Sequence, residues 1–182
     1  AGKDYTFVLT DNSAYVIQFV GPPFTFSVRQ VGSNCGCIGQ HAMKYVNGAV
    51  YWMGESGGFF VYDGTVKALP CLVEDFVFTK KGDNLGINYQ NGESVYAGLY
   101  SLYEEITWFY PKDGSSNIDR CVTFNYQSGT WTTGSLARTT YTDANLYDNP
   151  YATEFNSTGT PTFPTVQGIT NINGSTIYYS HE

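Results

Sequence analysis

Residues 50–69 read VYWMGESGGFFVYDGTVKAL, three short runs of aromatic and β-branched residues separated by glycine-containing turns. Runs of this kind, bounded by turn residues, predict short antiparallel strands in series. The same order returns in residues 106–110 (ITWFY) and 121–133 (CVTFNYQSGTWTT), and a further copy begins at residues 177–179 (IYY). Small antiparallel sheets repeated along one chain are typical of β-propellers. The sequence therefore predicts an all-β fold, a β-propeller-like array of small antiparallel sheets.

The positions of these runs give the predicted domain organisation. We expect a single β-propeller-like region over residues 1–182, with sheets near residues 5–31, 45–70, 94–136 and 168–182. Two stretches rich in turn-forming residues, 79–92 and 139–168, predict long loops between sheets. Because the chain begins within a strand-like segment and ends directly after one, we expect an incomplete array, a fragment of a longer protein.

The N-terminal segment predicts a hairpin followed by a third strand. Residues 5–9 and 14–20 pair naturally around a polar turn, and Gly21-Pro22-Pro23 interrupts the pattern because proline donates no ladder hydrogen bond. Residues 24–31 then alternate apolar and polar side chains. This alternation predicts a strand whose Phe24, Phe26 and Val28 face the core.

Two segments carry ambiguous patterns. Residues 95–106 keep a helical spacing of apolar side chains, but Gly98 and the aromatic and β-branched neighbours favour two strands that turn at Glu104-Glu105. Residues 72–78 are compatible with one helical turn or with a strand.

Composition restricts the class of protein and of partner. The chain has 182 residues, of which 42% are hydrophobic and 17% aromatic, so it can bury a core. Only 14% of residues are charged, and the net charge is -7. Tight binding to nucleic acid draws its strength from Lys and Arg, whereas the nine basic residues here are scattered. The Lys80-Lys81 doublet precedes Gly82-Asp83-Asn84 and is interpreted as a solvated turn.

Membrane, disulfide and metal signals are weak. No apolar run approaches the ~20 residues of a membrane helix, and the start lacks the layout of a secretory signal, so we expect a soluble chain with no membrane span. Four cysteines are too few and too irregular for a disulfide framework. Cys35-Gly36-Cys37 is spaced more closely than a zinc knuckle. We expect no metal site and no cofactor, and interpret the cysteines as loop residues or small buried hydrophobes.

Catalytic patterns are also missing. His41 and His181 are the two histidines, and no Gly-x-Ser-x-Gly elbow or phosphate loop occurs. Residues 127–131 (QSGTW) resemble the sialidase Asp-box turn but lack its Asp. A glycosidase would need two carboxylates about 5–10 Å apart, and the candidates are Glu55, Glu74, Asp75, Glu104, Glu105 and Asp119. Several lie beside turns, where acids are common, so we expect no enzyme and assign no catalytic residue.

A family resemblance rests on aromatic and turn residues spread over most of the chain. These residues are Val50–Gly54, Phe59–Gly64, Glu105–Pro111, Asp119-Arg120, Asn125-Tyr126, Trp131, Gly134, Arg138-Thr139 and Tyr179–Glu182. The chain resembles the propeller region of tailed-bacteriophage tail structural proteins. In particular, it resembles the tail nozzle, or tail tubular, proteins of short-tailed phages and the related packaged-DNA stabilisation proteins.

This resemblance implies a virion structural protein of the phage tail. In the family the fold is β-propeller-like, and the proteins build noncatalytic rings through which the genome passes. We therefore expect a homo-oligomeric ring around the DNA exit path, in contact with other tail and connector proteins and soluble in the host cytoplasm before assembly. DNA should pass during ejection without tight binding, which suits an acidic chain. Family members are larger, with further blades and platform domains.

A receptor-binding module is the alternative function. Tyr, Trp, Asn and Asp on propeller loops could bind a host surface glycan, with rings stacking on sugars and amides binding hydroxyls. The stretch from Tyr141 to Tyr151 has the required composition.

Overall fold

The computed structural model describes residues 5–84, 86–142, 151–154 and 176–179. Over these residues the fold is all-β, with four small antiparallel sheets and none of them closed. The chain divides into two compact units, Ala1–Cys71 and Leu72–Glu182. The predicted all-β class, a series of small antiparallel sheets, is confirmed. No helix in the described part is long and apolar enough to cross a membrane.

The first unit contains two sheets in which neighbouring strands follow one another along the chain. The three-stranded sheet runs β1 (Tyr5–Leu9), β2 (Ser13–Phe19) and β3 (Phe26–Ser33). The four-stranded sheet runs β4 (Met43–Val46), β5 (Ala49–Met53), β6 (Phe59–Tyr62) and β7 (Val66–Leu69). Short turns suffice to join such strands, which is why glycines fall between the aromatic runs.

The second unit opens with α1 (Glu74–Phe78) and a 3-10 helix (Tyr89–Ser94). Its four-stranded sheet runs β8 (Tyr96–Tyr100), β9 (Glu105–Tyr110), β10 (Arg120–Asn125) and β11 (Trp131–Gly134). Its three-stranded sheet runs β12 (Arg138–Thr142), β13 (Tyr151–Glu154) and β14 (Thr176–Tyr179). Residues 95–106 thus form two strands, as the residue types indicate, and residues 72–78 contain a helical turn.

The repeated aromatic runs occupy equivalent strands. β5-β6-β7 and β9-β10-β11 are the two triplets seen in the sequence, and each is preceded by one more strand, β4 or β8. Trp52 and Trp108 lie on the second strand of their sheets, and both are fully buried. The two four-stranded sheets therefore share connectivity and the position of their central tryptophan.

The fourth sheet starts earlier than the sequence indicates. β12 and β13 lie within residues 138–154, where a long loop over 139–168 and a sheet from residue 168 are predicted. The sequence RTTYT of β12 is rich in β-branched and aromatic residues, which favour strands. The Asn, Asp and Pro residues that follow it are typical of loops, and they make this strand pattern hard to recognise. Residues 143–150 and 155–175 lie outside the described part of the chain.

An aromatic cluster holds the first unit together. Phe7 of β1 stacks on Tyr62 of β6 with ring centroids 4.6 Å apart, and lies 5.6 Å from the ring of Trp52. Trp52 stacks in turn on Phe60, at 5.6 Å, and its Nε1 donates to the backbone oxygen of Cys35 at 2.8 Å. Because buried aromatic pairs contribute beyond their area, this cluster fixes the two sheets against each other.

In the second unit, one ring joins the two sheets. Tyr141 of β12 lies 6.0 Å from the ring of Phe109, and its backbone oxygen accepts a 2.8 Å hydrogen bond from the Tyr96 hydroxyl. The ring fills the space above Gly98, where an added Cβ would lie 2.7 Å from it. The glycine inside β8 therefore permits close packing of β12.

The predicted orientation of Phe24, Phe26 and Val28 is wrong. Their side chains are 76%, 63% and 65% exposed. Val28 is paired with Ile17, on the sheet face opposite the buried Val16. Alternation identifies which side chains share a face, but it leaves open which face is buried.

Candidate functional site

The acidic residues that the sequence offers for catalysis lie in turns, in a loop and at the start of α1. Glu55 is exposed in the turn after β5, and Glu74 and Asp75 are exposed in the first turn of α1. Asp119 accepts the Lys112 backbone N–H at 2.9 Å and pairs with the Lys112 ammonium at 3.2 Å, so it closes its own loop. Glu104 and Glu105 lie together where the chain turns into β9.

Other groups with catalytic or metal-binding chemistry are also dispersed. Among the described residues, no three His, Cys, Asp and Glu side chains gather as metal ligands. His41 is exposed in the loop before β4, and His181 lies outside the described residues. The turn at residues 127–131 is structural, because the Asn125 side chain accepts the backbone N–H groups of Gln127 and Ser128 at 3.1 and 2.8 Å.

The four cysteines carry free thiols. Cys35 is buried in the aromatic cluster of the first unit, and the Cys37 thiol donates to the Gly39 backbone oxygen at 3.1 Å. Burial raises the pKa of Cys37 from 9.0 to about 11 and that of Cys121 from 9.0 to about 11. Both side chains are therefore neutral at physiological pH, where only a thiolate is a good nucleophile or metal ligand.

The raised thiol pKa values predict slow alkylation and sensitivity to alkali. At neutral pH, Cys37 and Cys121 should react about a hundredfold more slowly in the folded chain than in urea, because a two-unit shift removes that much thiolate. The folded chain keeps these protons to about pH 11, whereas the unfolded chain releases them near pH 9.0. The free energy of unfolding should therefore fall as pH rises through that window. Equal alkylation rates in both states, measured residue by residue by mass spectrometry, would contradict this.

Lysines and arginines form no exposed basic patch within the described residues. Lys67 pairs with Asp63 at 2.7 Å, Lys80 with Asp113 at 2.7 Å and Lys112 with Asp119 at 3.2 Å. The Arg120 guanidinium lies 5.9 Å from the centre of the Phe76 ring. Hydrogen bonds from Lys67 and Lys80 lower the pKa of Asp63 and of Asp113. Three of the nine basic residues are thus paired with aspartates, which reduces the positive charge that could attract phosphates.

An open groove of about 580 Å³ lies in the second unit, beside the 3-10 helix. Tyr89 on its wall is 47% exposed. Burial, and then the Glu74 carboxylate, raises the pKa of Tyr89, so its hydroxyl remains a donor at neutral pH. The side-chain amides of Gln90 and Asn91 also line the groove and make no hydrogen bond in the described part of the chain. An aromatic ring and free amides can bind a polar, ring-shaped ligand.

An exposed apolar surface lies at the far end of the β2–β3 hairpin. We call it the hairpin patch and define it by five residues: Phe19, Val20, Phe24, Phe26 and Val28. Phe19 and Val20 are 63% and 53% exposed, and the rings of Phe19 and Phe26 meet edge to face at 5.8 Å. Several exposed apolar side chains on one hairpin mark an interaction site more often than isolated exposed residues do.

Neither surface is predicted by the sequence. Phe24, Phe26 and Val28 are predicted to face the core, and the groove joins segments far apart in sequence. Comparison with protein-family models and with curated proteins finds no match for this chain.

Proposed function

We propose that this chain is a non-enzymatic structural protein of a bacteriophage tail, which assembles into a homo-oligomeric ring around the path of the DNA. The family is suggested by the aromatic and turn residues at Val50–Gly54, Phe59–Gly64 and Glu105–Pro111. The observation that carries an assembly function is the hairpin patch. A chain that exposes several large apolar side chains on one hairpin is suited to docking.

Charge supports a conduit that does not retain DNA. The net charge is -7, and three lysines are paired with aspartates. Phosphate binding requires basic groups that release counterions from the DNA, so an acidic surface lets a duplex pass without trapping it. Other tail and connector proteins would be neighbours of such a ring in the virion.

Electron microscopy of the purified protein tests this proposal. We expect discrete rings with a central opening, and no shift of a linear DNA duplex in a gel at physiological salt. A monomeric protein that cleaves glycosidic bonds would contradict the proposal, as would tight DNA binding, because a retained genome could not be ejected.

The groove favours a second candidate, a glycan-binding module for host attachment. Tyr89 offers a ring face, and Gln90 and Asn91 offer unused donors and acceptors. The backbone there is fixed, because the Asn88 side chain accepts the Gln90 N–H at 3.1 Å and donates to the Ser115 oxygen at 2.9 Å. The stretch from Tyr141 to Tyr151, first considered for this function, falls largely outside the described residues.

A glycan array decides this candidate. If the groove binds a saccharide, Tyr89→Ala should weaken binding at least tenfold, since loss of a stacking ring removes more than about 1.4 kcal/mol. Tyr45→Ala is the matched control, because Tyr45 is comparably exposed but lies on β4 in the other unit. A glycan array without hits, or glycan binding that both Tyr89→Ala and Tyr45→Ala retain, would exclude the groove as a glycan-binding site.

A further inference from the structure

We propose that a second copy of this chain docks on the hairpin patch and adds a strand along the free edge of β3. The inference rests on the proposed function, and it names the surface through which the copies meet.

The exposed apolar area of the hairpin patch is about half of what one partner contributes to a standard interface. A phenylalanine side chain buries about 200 Å² in a core, so the Phe19, Phe24 and Phe26 rings, about two-thirds exposed, present roughly 400 Å² to solvent. This is already as large as the main apolar patch of a typical monomer, about 300–600 Å². A standard interface buries about 800 Å² per partner. The three rings therefore supply about half of an interface, a share that suits an apolar centre with a polar rim.

The free edge of β3 can supply further contacts of the interface. Within the described part of the chain, β3 pairs with β2 alone, so the N–H and C=O groups along its other side face no strand of its own sheet. Natural edges are normally protected by brevity, proline, charge or a β-bulge. β3 contains no proline and one charged residue, Arg29, and its bulge at Val31 follows the exposed residues 26–30. This exposed stretch of edge favours the addition of a strand from another chain.

Charge favours another copy of this acidic chain as the occupant. Residues 12–33 contain no Asp or Glu, and Arg29 gives them a charge of +1 in a chain of net charge -7. Two acidic copies therefore approach with least repulsion here, and Arg29 can pair with an acid of the neighbour. Anionic lipid is disfavoured, because membrane attraction relies on clusters of cations and this hairpin has one. A head-to-tail contact of this kind closes into a ring when the rotation permits.

Sedimentation velocity of charge variants tests the proposal. Phe26→Glu places a carboxylate in the centre of the patch and should weaken self-association at least tenfold. Leu72→Glu is the matched control, because Leu72 is an apolar side chain, 92% exposed, that lies between β7 and α1 and outside the strands. It should associate like the wild type. Since Phe26 is exposed, both variants should keep the wild-type melting temperature.

A photo-crosslinking phenylalanine analogue at position 26 gives a second readout without added charge. We expect adducts between two copies, with the crosslink in an edge strand of the neighbour. If Phe26→Glu still forms rings, the proposed hairpin contact is contradicted, whereas the proposed ring assembly is not. Open oligomers that Phe26→Glu dissolves would support the contact and contradict the ring. A wild-type protein that stays monomeric would overturn both, and so would a monomer that partitions onto phosphatidylcholine vesicles through this hairpin.

Discussion

Replacing Trp52 by alanine should lower the free energy of unfolding of the first unit by about 3–5 kcal/mol, the range measured for buried aromatic side chains. Trp52 is fully buried and lies between Phe7 and Phe60, with ring centroids 5.6 Å from each. Truncation leaves a cavity between the two sheets of this unit and leaves the Cys35 carbonyl without its hydrogen bond. Urea denaturation followed by far-UV circular dichroism measures the loss.

Trp52→Phe separates the two contributions. It keeps a ring in the cluster and removes the 2.8 Å hydrogen bond from Nε1 to the Cys35 oxygen, so about 1–3 kcal/mol should be lost. If Trp52→Ala cost no more than Trp52→Phe, the aromatic cluster would not hold the sheets together.

Gly36→Ala should destabilise the first unit by about 3 kcal/mol or more, at the upper end of overpacking costs. Gly36 is buried, and an added Cβ would overlap the backbone carbonyl of Asp11. The loop cannot move away easily. The Cys35 and Cys37 N–H groups donate to the Asn12 and Thr10 oxygens at 3.1 and 3.0 Å, and the Gly36 oxygen accepts from Glu55.

Gly114→Ala is the control for backbone conformation alone. Gly114 has a φ of 80°, with nothing within 4 Å of an added Cβ, so its replacement should cost about 1–2 kcal/mol. Equal losses of stability in the two alanine variants, measured by urea denaturation, would contradict the close approach at Gly36. The short Cys35-Gly36-Cys37 spacing would then lack its structural explanation.

The strands were predictable because their signals are local. Aromatic and β-branched runs between glycine turns define β5, β6 and β7, and the same pattern recurs in β9, β10 and β11. The conformation of each run is determined by its residue types and by the turn that follows it. Connectivity then follows, because strands joined by short turns pair with their neighbours.

The surfaces were less predictable because they depend on what packs against each sheet. Phe26 and Val28 alternate correctly for a strand, but the pairing of Val28 with Ile17 puts them opposite the face of Val16. The sequence of residues 24–31 does not by itself indicate which face of the strand packs against the core. The groove is likewise lined by both Tyr89 and Asp113, which are distant in sequence. Their two segments are joined by hydrogen bonds such as the one from Asn88 to the Ser115 oxygen.

Hydrogen–deuterium exchange of the β3 amides as a function of protein concentration tests most directly whether this chain acts by docking on copies of itself. The outward amides of residues 26–31 have no partner strand in the isolated sheet, so they should exchange quickly in dilute protein. The account predicts that their protection rises with concentration in the wild type and in Leu72→Glu, and stays low in Phe26→Glu. Oligomers that form while these amides exchange at an unchanged rate would contradict it.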